Sequence, residues 1–400
     1  MSTLPEIIIR PGEQHRTLSG HPWIYKGAIQ KITAPVADGE VVHVKDAKGR
    51  GLGIGFYNSK SRIAIRVLAS EPVEINQAFF EQRIMAANEL RRRRMPEATS
   101  YRVVNAESDF LSGLIVDKYE DVLVLQTSSL GMDQRKHEIV AVLQSIFSPR
   151  AIVERNDIGT RKFEGLPEAN GPIAGEQPVP FPIKLNGLEF VVDVQGGHKT
   201  GLYLDQQENY EFIGKLAKGG NVLDCFSFLG GFSLHCARGG ATHVHGLDQS
   251  ETAVASAVSN AEKNGLGELC SFEQANVFDW LKNRTQKGPN DKLIPPYDLI
   301  ILDPPSFTRS RESVPNALRG YKEIHVRAMK LLKPGGTLAT FCCSHHVDMV
   351  TFREVILSAA YDTKTVLRQV AIYNQSPDHP IIPMIAETEY LKGFAFEKVG

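Results

Sequence analysis

The sequence has no long uninterrupted apolar run, no basic leader and few cysteines, and each absence narrows what the chain can be. No stretch approaches the roughly 20 apolar residues that span a bilayer, so no membrane helix is expected. The start, Met1-Ser2-Thr3-Leu4-Pro5-Glu6, lacks a basic segment followed by an apolar one, so no signal peptide is visible. Cys225, Cys236, Cys270, Cys342 and Cys343 are odd in number in a long chain, which points to reduced thiols and a cytoplasmic location. None of them forms a CxxC pair, so no zinc or other metal is expected. There is no internal repeat and no low-complexity tract.

What is present is the composition of an ordinary globular protein, in a chain whose 400 residues suit two or three domains. The net charge of −1 conceals an asymmetry. Residues 1–70 carry ten Lys/Arg against five Asp/Glu, so this segment is +5 and the remainder −6. A basic amino-terminal module points to a polyanionic partner, and an ordinary solvated surface is the plainer alternative.

Short glycine-punctuated strands are expected at Glu6–Arg10, Gly39–Lys45, Gly51–Tyr57 and Ile63–Leu68, as in a small barrel. Ile63-Ala64-Ile65-Arg66-Val67, for instance, alternates with the period of a half-buried strand. Phe79, Phe80, Ile84, Ala87 and Leu90 then recur at helical spacing, predicting a helix over Asn76–Met95 that ends in Arg91-Arg92-Arg93-Arg94 before Pro96. Basic residues suit the last turn of a helix, but four in succession cannot share one face, which leaves phosphate contact as the second reading. Strands at Tyr101–Asn105, Val122–Gln126 and Ala151–Glu154 with a helix at Asp133–Phe147 form a middle region. A loop at Gly165–Pro182 and a hairpin at Ile183–Gln195 follow. From Asn221 apolar strands alternate with helices: Asn221–Cys225, Phe232–Arg238, His243–Asp248, Glu251–Asn264, Cys270–Gln274, Asp298–Leu302, Pro315–Leu332 and Thr337–Phe341. That is the pattern of a doubly wound sheet covered on both faces.

In Val222-Leu223-Asp224-Cys225-Phe226-Ser227-Phe228-Leu229-Gly230-Gly231 an apolar strand turns into a helix through paired glycines, which admit a ligand close to the backbone. The helix amino terminus favours a carboxylate there. Asp248 ends the next strand and can accept hydrogen bonds from both hydroxyls of a ribose. A nicotinamide enzyme shares both features but usually carries a GxGxxG fingerprint in its first strand–turn–helix; here the turn lacks that pattern and follows two hundred residues.

These segments resemble the class I S-adenosylmethionine-dependent methyltransferases and, more narrowly, the RlmI-type ribosomal RNA (cytosine-5) methyltransferases. The likeness runs nearly end to end. His21-Pro22-Trp23-Ile24-Tyr25 and the basic barrel are similar to that family's PUA domain, an RNA-binding module. Asn105-Ala106-Glu107-Ser108-Asp109-Phe110-Leu111-Ser112-Gly113-Leu114-Ile115-Val116-Asp117-Lys118-Tyr119 is similar to the signature of its middle domain. Lys199-Thr200-Gly201-Leu202-Tyr203-Leu204-Asp205-Gln206-Gln207 resembles the segment before its catalytic sheet, and Glu389-Tyr390-Leu391-Lys392-Gly393 its closing strand. The resemblance implies a multi-domain α/β protein: a PUA-like barrel over 1–72, an α+β middle domain over 73–182 and a Rossmann-like methyltransferase domain over 183–400. It implies S-adenosylmethionine as cofactor, with Asp224, Phe226 and Gly230 at its methionine part and Asp248 at its ribose, and with Asp205 and Asp303 also in the cofactor site. Asn276 falls where the family usually has an aspartate at the adenine amine, and Gln207 where many relatives carry arginine. Ribosomal RNA, of the large subunit, is the implied partner, and a homodimer is an open expectation.

Asp303-Pro304-Pro305-Ser306-Phe307 ends a buried strand as a rigid polar lip able to hold a planar base, with Pro304, Pro305 and Phe307 as substrate contacts. Taken alone it also resembles the (N/D)PPY/F motif of enzymes that methylate exocyclic amines. Carbon 5 of a pyrimidine needs a nucleophile at carbon 6, and a cysteine thiolate suits that role. Strand alternation directs one of Cys342 and Cys343 into the core and the other outward. The family resemblance puts Cys343 at the nucleophile position and leaves Cys342 to packing. Asp303 could bond the cytosine edge and help protonate its ring nitrogen. His345 and His346 are candidate proton acceptors, RNA contacts or plain loop residues. Rival readings are amine or guanine methylation, and an RNA-binding assembly factor without turnover.

Overall fold

The computed structural model describes residues 4–197, 200–286, 293–308 and 310–399; the first three residues and Lys199, named above, lie outside the described residues. Two compact units form: Met1–Ile183 with Val192–Leu204 and Pro377–Thr388, and Lys184–Val191 with Asp205–Ser376 and Glu389–Gly400.

In the first unit, six strands (Glu6–Ile9, Trp23–Tyr25, Ile29–Ile32, Val41–Lys45, Gly51–Tyr57, Ile63–Ala69) make one sheet. Ile7, Ile9, Val42, Val44 and Ile65 alternate inward to form its core. Gly55 is required there: a Cβ at that position would stand 2.1 Å from the carbonyl oxygen of Arg66 on the paired strand. The strands Trp23–Tyr25 and Ile29–Ile32 were not foreseen, because runs of three or four residues are too short for alternation to register.

Helix Gln77–Arg94 begins where the Asn76 side chain accepts from the Phe79 N–H and buries Phe79, Phe80, Ile84 and Ala87. It packs in the core of a five-stranded sheet whose spatial order is Asn170–Gly175, Ala151–Arg155, Val122–Thr127, Leu114–Tyr119, Ser100–Asn105. Two corrections arise. Part of the expected loop at Gly165–Pro182 is the edge strand Asn170–Gly175, where Pro172 is tolerated because an edge needs only one side of its ladder. The helix expected over Asp133–Phe147 is two helices, Leu130–Gln134 and Lys136–Phe147, meeting at Arg135. The Arg135 guanidinium lies 4.2 Å over the Phe56 ring and donates to Gly39 O, so barrel contacts break the helix there.

The strands Phe181–Leu185 and Leu188–Val192 pair as a hairpin. The second unit is built on seven strands in the order Cys270–Gln274, His243–Asp248, Asn221–Cys225, Tyr297–Leu302, Leu332–Cys342, Lys392–Lys398, Leu367–Tyr373. The first five run parallel and Lys392–Lys398 is antiparallel to both neighbours. Chain order reverses between Asn221–Cys225 and Tyr297–Leu302, and such a switch point opens a crevice at the carboxyl ends of the strands. Helix Met349–Asp362 and the strand Leu367–Tyr373 were not foreseen.

Candidate active site

Both motif turns sit at that switch point. The Asp303 N–H reaches Cys225 O at 3.5 Å, joining the end of one central strand to the other. The turn after Asn221–Cys225 is held in an uncommon shape: Phe226, Phe228 and Gly230 all have positive φ, at 69°, 47° and 85°. Gly230 then caps helix Gly231–Arg238.

Asp224 is fully buried at the start of this turn. Its Oδ2 accepts from Ser233 Oγ at 2.6 Å, whereas Oδ1 has no hydrogen-bond partner. Burial pushes its carboxyl up to about 7; the Ser233 bond opposes this and the nearby Asp248 adds to it. Ser227 Oγ, in the same turn, is also buried without a partner. Native proteins seldom leave such atoms bare, and here two lie within one turn. Asp248 is itself positioned by the turn, accepting from the Phe228 N–H at 3.0 Å and the Ser250 N–H at 2.9 Å. Asn276 is exposed and caps helix Val277–Thr285, its carbonyl accepting from the N–H groups of Phe278 and Asp279. Asp205 is buried and accepts from the Tyr390 hydroxyl at 2.7 Å.

The two acceptor-side segments come together. Cys343 Sγ lies 3.9 Å from Pro304 O, and Ser306 Oγ lies 2.9 Å from Ser344 Oγ. Cys343 is partly exposed while Cys342 is fully buried, its Sγ against the Tyr321 hydroxyl at 3.4 Å. Pro304 is buried and Pro305 and Ser306 are exposed. Phe307 packs on Tyr321, with ring centres 4.6 Å apart, and on Phe278 at 5.6 Å, so it flanks the core. His345 and His346 are exposed, with the His345 ring 5.5 Å from that of Tyr390.

Sequence reasoning missed three groups. Lys392 is 4% exposed and donates to Ser344 O at 2.7 Å, next to the thiols of Cys342 and Cys343. Burial holds its ammonium below the ordinary lysine value, and those thiols oppose the effect electrostatically. Its presence in the closing strand was visible, but only strand pairing shows that it reaches the cysteine loop. Tyr321 ties Ser344 and Cys342 to helix Val314–Leu331, and burial pushes its phenol well up. Gln206 is buried with Nε2 lacking a partner, beside Asp205 in sequence.

The profile of the S-adenosylmethionine-dependent methyltransferases matches residues 166–391, more than half of the chain, and a PUA-like profile matches residues 7–70. The chain belongs to the S-adenosylmethionine-dependent methyltransferases. Two curated relatives are both named ribosomal RNA large subunit methyltransferase I. The protein from Klebsiella pneumoniae is 36% identical over 98% of this chain and 98% of its own. That from Photobacterium profundum is 38% identical over 97% and 98%. A candidate SAM-dependent methyltransferase from Streptococcus mutans shares the fold, with a TM-score of 0.80 at 20% identity over 98% of this chain and 99% of that one.

The methyltransferase fold thus follows a PUA-like module, and S-adenosylmethionine is the cofactor. The residues present suit it. A buried carboxylate with one bare oxygen at the switch point suits an ammonium or sulfonium, and Asp248 at the next strand end suits a ribose. Among the described residues no helix is long and apolar enough to cross a membrane.

Proposed function

We propose that this methyltransferase forms 5-methylcytosine in large-subunit ribosomal RNA, in the cytoplasm, through a transient bond from Cys343 Sγ to carbon 6 of the base. The observation that carries the reading is the partly exposed thiol 3.9 Å from Pro304 O, at the lip beside the donor turn. The names and nearly full-length likeness of the curated relatives support the RNA class.

In this mechanism Asp224, Phe226, Gly230, Asp248, Asn276, Asp205 and Asp303 hold the cofactor, which supplies an electrophilic methyl group. Pro304, Pro305 and Phe307 form the base pocket's lip and flank. The Cys343 thiolate adds to carbon 6, the 5,6 double bond opens, and its electron pair makes carbon 5 nucleophilic. Asp303 bonds the base edge and helps protonate the ring nitrogen that would otherwise gather charge. Carbon 5 would take the methyl group as its bond to the cofactor's sulfur breaks and S-adenosylhomocysteine departs; a base then removes the carbon 5 proton, the double bond re-forms and the bond to Cys343 Sγ breaks, returning the thiolate. Lys392 supplies a positive charge beside the cysteine loop, which favours the thiolate form.

Amine methylation through Asp303–Phe307 is the second reading. It has less support, because it leaves the partly exposed Cys343 thiol at this lip without a role. Domain limits at 1–72, 73–182 and 183–400 and a homodimer of the 44.2 kDa chain complete the proposal; light scattering tests the latter. The deciding experiment is Cys343→Ala beside Cys342→Ala. The first is expected to abolish methylation while binding S-adenosylmethionine normally, and the second to change activity little. RNA containing 5-fluorocytosine should trap a covalent adduct with wild type and Cys342→Ala but not with Cys343→Ala. Full activity in Cys343→Ala rejects the carbon 5 mechanism.

A further inference from the structure

The middle region contains a loop built in an unusual way. Between Tyr101 and Glu120, charged and polar side chains are buried or half-buried, and Phe110 is the single exposed residue. It is 48% exposed, between Asp109 at 7% and Leu111 at 0%. Its backbone is left-handed, at φ 58° and ψ 27°, a conformation that a bulky side chain rarely adopts.

Anchors on both sides hold this shape. Before Phe110, Asp109 takes a two-pronged bond from the buried Arg91 guanidinium, at 2.5 Å and 2.8 Å, and accepts from the Asn105 N–H at 2.6 Å. Glu107 accepts from Trp23 Nε1 at 2.9 Å and Ser112 Oγ at 2.7 Å, and pairs with Arg66 at 3.4 Å. These contacts reach from the barrel and the long helix alike, so the phenyl group is fixed outward by buried ion pairs. An outward aromatic in a strained backbone, over-determined by its surroundings, is a signature of a working position rather than of packing.

What the ring faces is basic. The Arg83 guanidinium lies 5.5 Å from the Phe110 ring centre and 5.4 Å from that of buried Phe79, and it donates to Leu68 O. A cation is thus clamped between two rings, one of which is open to solvent. Further along helix Gln77–Arg94, Arg92, Arg93 and Arg94 are exposed. Arg94 is eleven residues beyond Arg83, three turns on, and so on the same stripe. Glu81 and Glu89 lie on this helix too, Glu89 being 3.9 Å from Arg93.

We propose that Phe110 and Arg83 form a stacking platform for an unpaired RNA base, with Arg94, about 16 Å further along the same stripe, placed to meet a phosphate two or three nucleotides on. An aromatic face beside a guanidinium plane is how single-stranded RNA is commonly gripped, whereas an apolar protein partner would need neither the charge nor the basic stripe. The platform binds the RNA substrate outside the methylation pocket. It rests on the ribosomal RNA reading above but not on which atom is methylated.

The test measures affinity of the full chain for an unmodified large-subunit rRNA transcript and for S-adenosylmethionine. Phe110→Leu keeps an apolar side chain without a π face, and Phe110→Gly relieves the positive φ. Both should bind RNA about five- to hundred-fold more weakly, the range expected from losing one base–aromatic stack. Phe110→Tyr should bind within about twofold of wild type, since a phenol ring offers the same face. Thermal stability of Phe110→Gly should equal or exceed wild type, and donor affinity should not move. RNA affinity unchanged in Phe110→Leu and Phe110→Gly overturns the platform and leaves the ring to a protein partner. Failure of wild type to bind the RNA rejects the ribosomal RNA reading itself, and the platform with it.

Discussion

Replacing Asp224 by asparagine should stabilise the unliganded protein and weaken donor binding, an opposition that follows from its burial. The carboxyl is fully buried, with one oxygen bonded to Ser233 and the other bare, and burial lifts it from the ordinary 3.8 to about 7. Between those two pH values the folded protein holds a proton that the unfolded chain has released. Stability is therefore fully present below pH about 4, falls as pH rises towards 7, and is flat above. The difference corresponds to about 4 kcal/mol at 1.36 kcal/mol per pH unit. Asparagine removes that cost but places an unbonded N–H₂ where the bare oxygen was, at about 1–3 kcal/mol. The net gain at pH 8 is about 1–3 kcal/mol, and each kcal/mol should raise the melting point of the second unit by about 2–4 °C. The gain should vanish near pH 5, where wild-type Asp224 is already neutral. With the donor present the order inverts: loss of a charge-assisted bond costs about 1.5–3 kcal/mol, or roughly ten- to hundred-fold in dissociation constant. Wild-type donor affinity should itself fall about fivefold from pH 7 to pH 6, as the carboxylate is titrated away. Thermal denaturation at pH 5 and pH 8 and calorimetric titration with S-adenosylmethionine read both effects. An Asp224→Asn protein less stable than wild type at pH 8, or one that binds the donor equally well, refutes the reasoning.

Lys392→Met removes the cation beside the cysteine loop, so the rising limb of the kcat/KM profile should move to higher pH by about one unit. A superimposable profile shows that Lys392 acts only through its bond to Ser344 O. Arg91→Leu should lower the stability of the first unit by about 3–5 kcal/mol in urea denaturation, because it strands the buried Asp109 carboxylate. A loss below about 1 kcal/mol rejects Arg91 as a structural anchor, whereas Arg93→Ala, at an exposed pair, should cost less than about 1 kcal/mol.

Run-length and periodicity explain most of what was legible. The strands Asn221–Cys225, His243–Asp248 and Cys270–Gln274 were bounded as expected: Val222-Leu223 and Val244 with Leu247 supply the apolar residues of the first two, and Cys270–Gln274 is marked by its place in the strand–helix alternation rather than by an apolar run. The four arginines were not separable in sequence, and they behave differently: Arg91 is buried on Asp109 while Arg92, Arg93 and Arg94 are exposed. The helix Val277–Thr285 was not foreseen, so the capping role of the Asn276 carbonyl, which the adenine contact expected from the resemblance would have to share, was not legible in sequence.

By itself, then, the sequence determined the local alternations: which face of each strand is apolar, where glycine must open a turn, and that Cys342 and Cys343 point opposite ways. Local sterics and a two-residue period are enough for that. Tertiary structure alone decided which distant segments meet. The strand order that creates the switch point, the pairing that brings Lys392 beneath Ser344 and the ion pairs that turn Phe110 outward join residues tens to hundreds of positions apart. They are selected by burying the whole core at once, and no window of sequence contains that sum.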